Sequence, residues 1–315
     1  MEIKYGRNRK GIKADLDDFI TGLLDTIDDE NVKKAVKDDI IITGGSICSM
    51  LMGDKINDYD VYFRTIGTTE IVAKYYVDKF VKLNPEKIVN VDTKPFIPEV
   101  QIKSLTNLKK EVEERVVIYI KSAGVVAENQ TEYKYFEMES VGSVEEFAES
   151  LNEVDDNGKS KYRPIFLSQN AITLSNSAQI VIRFYGNPKE IHNNYDFAHA
   201  MSYYDYANGD LYFDPKAMEC MLSRTLIYHG SLYPIASIFR AKKFIERGWR
   251  IGAGQLLKIM WQISEIDLSD HEVLQEQLTG VDQAYLRQII HALKDTSPEK
   301  INSAYVCTII ERVFE

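Results

Sequence analysis

Apolar positions along the chain follow two alternating periods. Leu16, Phe19, Ile20, Leu23, Leu24 and Ile27 recur at helical spacing and predict a helix over residues 13–37. The following "DDIIITGG" is a short apolar run, the mark of a buried strand, and it stops at two glycines. "SICSMLMG" returns to a helical pattern, with Ser46 expected as its N-cap and Gly53 as its stop. "DYDVYF" alternates as a second strand, and residues 69–83 form an amphipathic helix. Residues 86–165 read as an elaborated region, with strand candidates "RVVIYIKS" and "YKYFEME" set between charged stretches. "QNAITLSNSAQIVIRF" has the alternation of a hairpin turning at "SNSA". From about residue 187 helices are expected to dominate, starting with "PKEIHNNYDFAHAMSYYD" and "PKAMECMLSRTLIY". "PIASIFRAKKFIERG", "GQLLKIMWQISEI" and two more continue the series. The expected architecture is an α/β (α+β) domain with a mixed sheet over residues 1–228, followed by an all-α helical domain over 229–315.

Composition narrows the function classes. A chain of 315 residues has room for about two domains, and 44% hydrophobic residues support a sizeable core. No apolar run reaches transmembrane length, and the charged start "MEIKYGRNRKGIKADLDD" does not resemble a secretory signal. Cys48, Cys220 and Cys307 are far apart and lack CxxC spacing, so reduced thiols, no disulfide partner and a cytoplasmic location are expected. A net charge of −10 argues against nucleic-acid binding over the whole surface. It leaves room for a local basic stretch, and Arg240, Lys242, Lys243, Arg247, Arg250 and Lys258 form one.

Candidate chemistry concentrates in "IITGGSICSMLMGDKINDYDVYF", residues 41–63. Glycines at a strand end let the backbone approach a ligand with no Cβ in the way. The helix that follows offers amide N–H groups and a positive dipole end to phosphate oxygens, with Ser46 beside them. Asp58 and Asp60, two residues apart in a strand, face the same side. Two close carboxylates repel each other unless a cation lies between them, and hard oxygen ligands suit Mg²⁺ (or Mn²⁺). Phosphoryl or nucleotidyl transfer is the expected chemistry.

The ordered set of apolar strand, Gly-Gly-Ser, eleven residues and Asp-x-Asp resembles the nucleotidyltransferase superfamily of DNA polymerase β, poly(A) polymerases and CCA-adding enzymes. "DFAHAMSYYD" and "GDLYFDPKAMECMLSRTLIYHG" are similar to consecutive segments of the bacterial poly(A) polymerase and CCA-adding head. "YPIASIFRAKKFIERGWRI" is similar to the neck that follows it. The chain also looks like nucleotidyltransferase-like proteins of phages and prophages, which share "AITLS…QIVIRF" and "IHNNYDF". The resemblance implies Asp58 and Asp60 as metal ligands and catalytic residues, and Gly44, Gly45 and Ser46 as the hold on the β- and γ-phosphates. Arg240 and Lys243 would face the nucleotide, in a cleft between the domains. It implies an NTP substrate, ATP foremost, and an RNA acceptor such as a tRNA 3′ end.

Departures from the family pattern are specific. Asn194 and Tyr195 stand where the family carries paired arginines, and Pro234 and Ser237 stand where CCA-adding enzymes read the base. A third acid is expected on a neighbouring strand. "AQIVIRF" offers the neutral Gln179, "YKYFEME" offers Glu137 and Glu139, and Asp196 is a further option; Glu137 is taken as the third catalytic acid. His192 and His199, seven apart, are expected on one helix face, and Tyr195, Tyr203, Tyr204 and Tyr206 are candidates for base stacking. Two other functions fit these departures: a nucleotidyltransferase that modifies a protein or makes a signalling nucleotide, and a degenerate head that binds nucleotide or RNA without chemistry.

Overall fold

The computed structural model describes residues 6–83, 90–91, 94–95, 97–106, 112–119 and 162–267, with residues 273, 277 and 308. "YKYFEME", and with it Glu137 and Glu139, lies outside the described residues. The chain forms two compact units. One comprises Met1–Asn193 and Ala200–Ala217, the other Asn194–His199 and Met218–Glu315. The division thus falls at residue 217 rather than 228, and a six-residue segment of the front half belongs to the second unit.

The first unit is mixed α/β. Its helices are α1 (Arg9–Asp25), α2 (Glu30–Asp39), α3 (Gly45–Met52), α4 (Ile66–Leu83) and α5 (Pro188–His192). The single helix expected over 13–37 is two helices, because Asp29 caps a new start: its carboxylate accepts from the Asn31 and Val32 amides at 2.8 and 3.2 Å. The carbonyl of Thr26, at the end of α1, accepts instead from Lys79 Nζ of α4 at 2.8 Å.

Seven strands form the main sheet: β1 (Ile40–Thr43), β2 (Tyr59–Phe63), β7 (Pro164–Leu167), β8 (Ala171–Leu174), β9 (Ala178–Val181), β10 (Tyr203–Asp205) and β11 (Asp210–Tyr212). Their order is β11-β10-β1-β2-β9-β8-β7, with β2–β9 the parallel pair in an otherwise antiparallel sheet. Three further two-stranded ladders occur among the described residues: β3 (Asn90–Val91) with β4 (Lys94–Pro95), and the long hairpin of β5 (Glu99–Thr106) with β6 (Val112–Tyr119), in this unit; β12 (Thr225–Leu226) with β13 (Arg250–Ile251) belongs to the other. The expected hairpin at "SNSA" is β8–β9, turned through Asn176 and Ser177 at positive φ.

Register explains how the two faces of the sheet differ. Leu211, Tyr204, Ile42, Val61, Ile180, Ile172 and Leu167 are consecutive partners across all seven strands, and all are buried. They belong, with Leu16, Ile20, Val36, Ile47, Val72 and Tyr76 from the helices, to one hydrophobic core. One residue along, side chains point to the other face. That row reads Tyr212, Tyr203, Thr43, Asp60, Gln179, Thr173 and Phe166, and apart from Thr43 each of its members is at least partly exposed. The sheet therefore has one face sealed by helices and one face that carries polar and aromatic groups.

"PKEIHNNYDFAHAMSYYD" is not one helix. It gives the short α5, a 3₁₀ turn at Ala198–Ala200 and strand β10, which inserts between β1 and β11. Pairing with β1 outweighs the helical spacing of its aromatics. Among its described residues the second unit holds both helices and a strand pair. α6 (Pro215–Ser223) runs into it, α7 (Pro234–Glu246) and α8 (Ala253–Ser264) follow, and β12 and β13 pair in parallel. None of the described helices is long and apolar enough to cross a membrane.

Candidate functional site

The turn from β1 into α3 is built around Gly44. Its φ of 98° and ψ of −156° lie in a region essentially restricted to glycine. A Cβ placed there would come within 3.2 Å of the Asp60 carboxylate carbon and nearer still to its Oδ2. The backbone of Gly44 thus lies directly against the Asp60 carboxyl group. A Cβ on Gly45 would meet nothing within 4 Å, so that position faces open space. The Gly44 amide donates to the Ala200 carbonyl at 3.2 Å, fixing the end of β1 to the start of the β10 segment.

α3 begins without a side-chain cap. Gly44 occupies the N-cap position, so Ser46 is not the cap that its sequence position suggested. Ser46 lies within the first turn, 2% exposed, and its Oγ has no hydrogen-bond partner among the described residues. A buried hydroxyl without a partner carries a desolvation cost of about 1–3 kcal/mol. A hydroxyl and uncapped amides at a helix start are a donor set for an anion. Gly53 closes the helix in the left-handed conformation, as the sequence predicts.

Asp60 sits in β2 between Tyr59 and Val61, which turn to the core side; Tyr59 stacks on Phe19 of α1 with ring centroids 4.2 Å apart. Its neighbours in register are Thr43 of β1 and Gln179 of β9. Asp58 precedes the strand, and the ladder begins immediately after it, with the Tyr59 amide donating to the Ser177 carbonyl at 2.7 Å. Both aspartates are half-buried. Among the described residues no group of three or more His, Cys, Asp or Glu side chains is placed to hold a metal ion. The β9 residue in register with Asp60 is the neutral Gln179.

The sequence reading missed the pairing of Thr43 with His192. Thr43 Oγ1 lies 2.8 Å from His192 Nε2 and donates to the Ser202 carbonyl at 2.9 Å. His192 ends α5, in the first unit, and its ring is 6.1 Å from that of Tyr203. His199 lies in the second unit, so the two histidines do not share a helix face. Tyr203 in turn stacks on Tyr212, with centroids 5.2 Å apart and planes 30° apart. Burial first, and then the Asp210 carboxylate, push the Tyr203 phenol above its usual range, so this ring is neutral.

Asp196, Arg240 and Lys243 belong to the second unit. Arg240 of α7 pairs with Asp196 at 2.5 Å, and the Asp196 carbonyl accepts from the His229 amide at 2.7 Å. Asp196 therefore anchors the 194–199 segment to α7. Lys242, Lys243, Arg247, Arg250 and Lys258 are exposed. His199 is enclosed by Phe197, Phe244 and Trp249, 2% exposed, with neither ring nitrogen hydrogen-bonded among the described residues. Burial holds its pKa down to about 4, partly offset by Asp196.

These features define a two-unit mixed α/β protein whose first unit has a glycine turn closed over a strand carboxylate. The model of the Gad2 family, Gabija anti-defense 2 family protein, matches residues 13–224, about two thirds of the chain, and the chain belongs to that family. No curated protein and no solved structure matches it.

Proposed function

We propose that the first unit binds a nucleoside triphosphate with Mg²⁺ (or Mn²⁺) and transfers its nucleotidyl group to an acceptor hydroxyl. The observation that carries this reading is the contact of the Gly44 backbone with the Asp60 carboxyl, next to the unpartnered Ser46 hydroxyl at the start of α3. A carboxylate and an anion-binding helix start are thereby held side by side. The residue types fit the cation: Asp60 on the polar face and Asp58 just before the strand carry hard oxygens, and phosphate oxygens and water would complete such a shell. Bound there, the cation neutralises phosphate charge and favours attack and departure of oxygens.

Within this reading Asp58 and Asp60 hold the cation, and the Gly45 and Ser46 amides with Ser46 Oγ orient the β- and γ-phosphates. In the reaction the acceptor oxygen bonds to the α-phosphorus, the bond from that phosphorus to the α–β bridging oxygen breaks, and pyrophosphate leaves. The acceptor proton passes to solvent or a neighbouring carboxylate. Membership in an anti-defence family directs this chemistry at the Gabija defence, so the acceptor set includes protein and nucleotide as well as the RNA 3′ end that the sequence resemblance favours.

Gln179 supports a second reading. An amide in register with Asp60 is a weaker ligand than a carboxylate, which suits a module that binds nucleotide without turning it over. The deciding experiment incubates the protein with Mg²⁺ and each labelled NTP, offering total tRNA, other RNA, protein and a lysate containing the Gabija system as acceptors. An Asp58→Asn/Asp60→Asn variant runs in parallel. Transfer that is lost in the variant supports the enzyme. Nucleotide binding without transfer to any acceptor supports the binding module and ends the catalytic reading.

A further inference from the structure

We infer that Tyr203 and Tyr212 are a stacking platform for the base of the nucleotide whose phosphates sit at the Gly44–Ser46 turn. This rests on the nucleotide reading above. The two rings are stacked, belong to adjacent strands and lie in the same sheet row as Asp60, separated from it by Thr43 alone. Neighbouring strands are about 4.8 Å apart, which puts Tyr203 about 10 Å and Tyr212 about 14 Å from Asp60 along the row. That offset is of the order of the span between a nucleotide's inner phosphates and its base.

Cross-strand tyrosine pairs also staple hairpins, contributing about 0.2–1 kcal/mol. β10–β11 is already tied to the core on its covered face, where the cross-strand partners Tyr204 and Leu211 are each 1% exposed. The pair on the opposite face leaves Tyr212 42% exposed on an edge strand. His192 adds a third ring against Tyr203, held in place by its hydrogen bond to Thr43. A row that runs carboxylate, hydroxyl, ring, ring offers ligands for a metal–phosphate group at one end and an apolar π face at the other.

Stacking recognises a base by its π face rather than its hydrogen-bonding edge, so this platform ranks bases by ring size. Purine nucleotides are the class it favours.

The test is calorimetric titration of the full chain with ATP, CTP and inorganic tripolyphosphate in Mg²⁺, for the wild type, Tyr212→Leu and Tyr212→Phe. Base stacking is worth about 1–3 kcal/mol by substitution, or roughly 5- to 150-fold in affinity. The expected result is ATP bound more tightly than CTP, with Tyr212→Leu weakening ATP at least about 5-fold. Tripolyphosphate affinity stays unchanged and Tyr212→Phe behaves as wild type. Urea midpoints matching the wild type exclude unfolding as the cause. ATP and tripolyphosphate bound equally, both indifferent to Tyr212→Leu, would overturn the platform and leave the phosphate site standing. Equal weakening of ATP and tripolyphosphate by Tyr212→Leu would also overturn it. A wild type that binds neither would remove the nucleotide reading itself, and the platform with it.

Discussion

Replacing His199 by leucine should abolish a defined part of the protein's acid sensitivity. His199 is enclosed by Phe197, Phe244 and Trp249, and its pKa is held at about 4 against an ordinary 6.5. In the unfolded chain the imidazole takes up a proton below pH 6.5, whereas in the folded protein it resists protonation until about pH 4. The unfolded state therefore binds more protons throughout that window, and stability falls as pH falls through it. A difference of roughly 2.5 pH units corresponds to about 3 kcal/mol at the acid limit, of which about 2 kcal/mol is lost by pH 5. Leucine has no proton to gain and fills a similar volume. Urea unfolding, followed by tryptophan fluorescence at pH 7, 6 and 5, should show the gap between variant and wild type shifting in the variant's favour by about 2 kcal/mol. An unchanged gap across the three pH values, or an NMR titration of His199 with a midpoint near 6.5, would refute the argument.

Other substitutions test particular contacts. Gly44→Ala forces a Cβ against the Asp60 carboxyl in a backbone region that costs about 1–3 kcal/mol for a non-glycine residue. It should lower the urea midpoint and weaken Mg²⁺–nucleotide binding together, whereas Gly45→Ala, which faces open space, should be far milder at both readouts. Asp29→Ala removes the cap of α2 and should cost about 1 kcal/mol, read as reduced stability with activity retained. Arg240 is 35% exposed, so its pair with Asp196 is partly screened by solvent. A double-mutant cycle of Arg240→Ala and Asp196→Ala should give a coupling of about 1 kcal/mol, smaller at high salt; a coupling of zero would mean that the pair does not anchor the 194–199 segment.

Elements fixed by local chemistry were legible in the sequence. β1, α3 and β2 follow from a β-branched run, a glycine stop and strict alternation, each decided within a few residues. The β8–β9 hairpin, α7 and α8 were legible for the same reason. So were the glycine turn that ends β1 and the place of Asp60 inside β2, because a strand end and a short alternating run are short-range features. The Asp29 cap was present in the sequence too, but an uninterrupted apolar period masked it.

Features that depend on which strand lies beside which were decided by the tertiary structure. Spacing along the chain gives no sign that β10 inserts next to β1, or that β9 pairs in parallel with β2 and brings Gln179 beside Asp60. Nor does it show that Tyr212, Tyr203, Thr43 and Asp60, spread over residues 43–212, form one row. The physical reason is that helix and turn formation are settled by neighbours in sequence. Strand pairing is settled instead by which register buries Ile42, Val61, Ile180 and Tyr204 together, and the polar face of the sheet follows from that register.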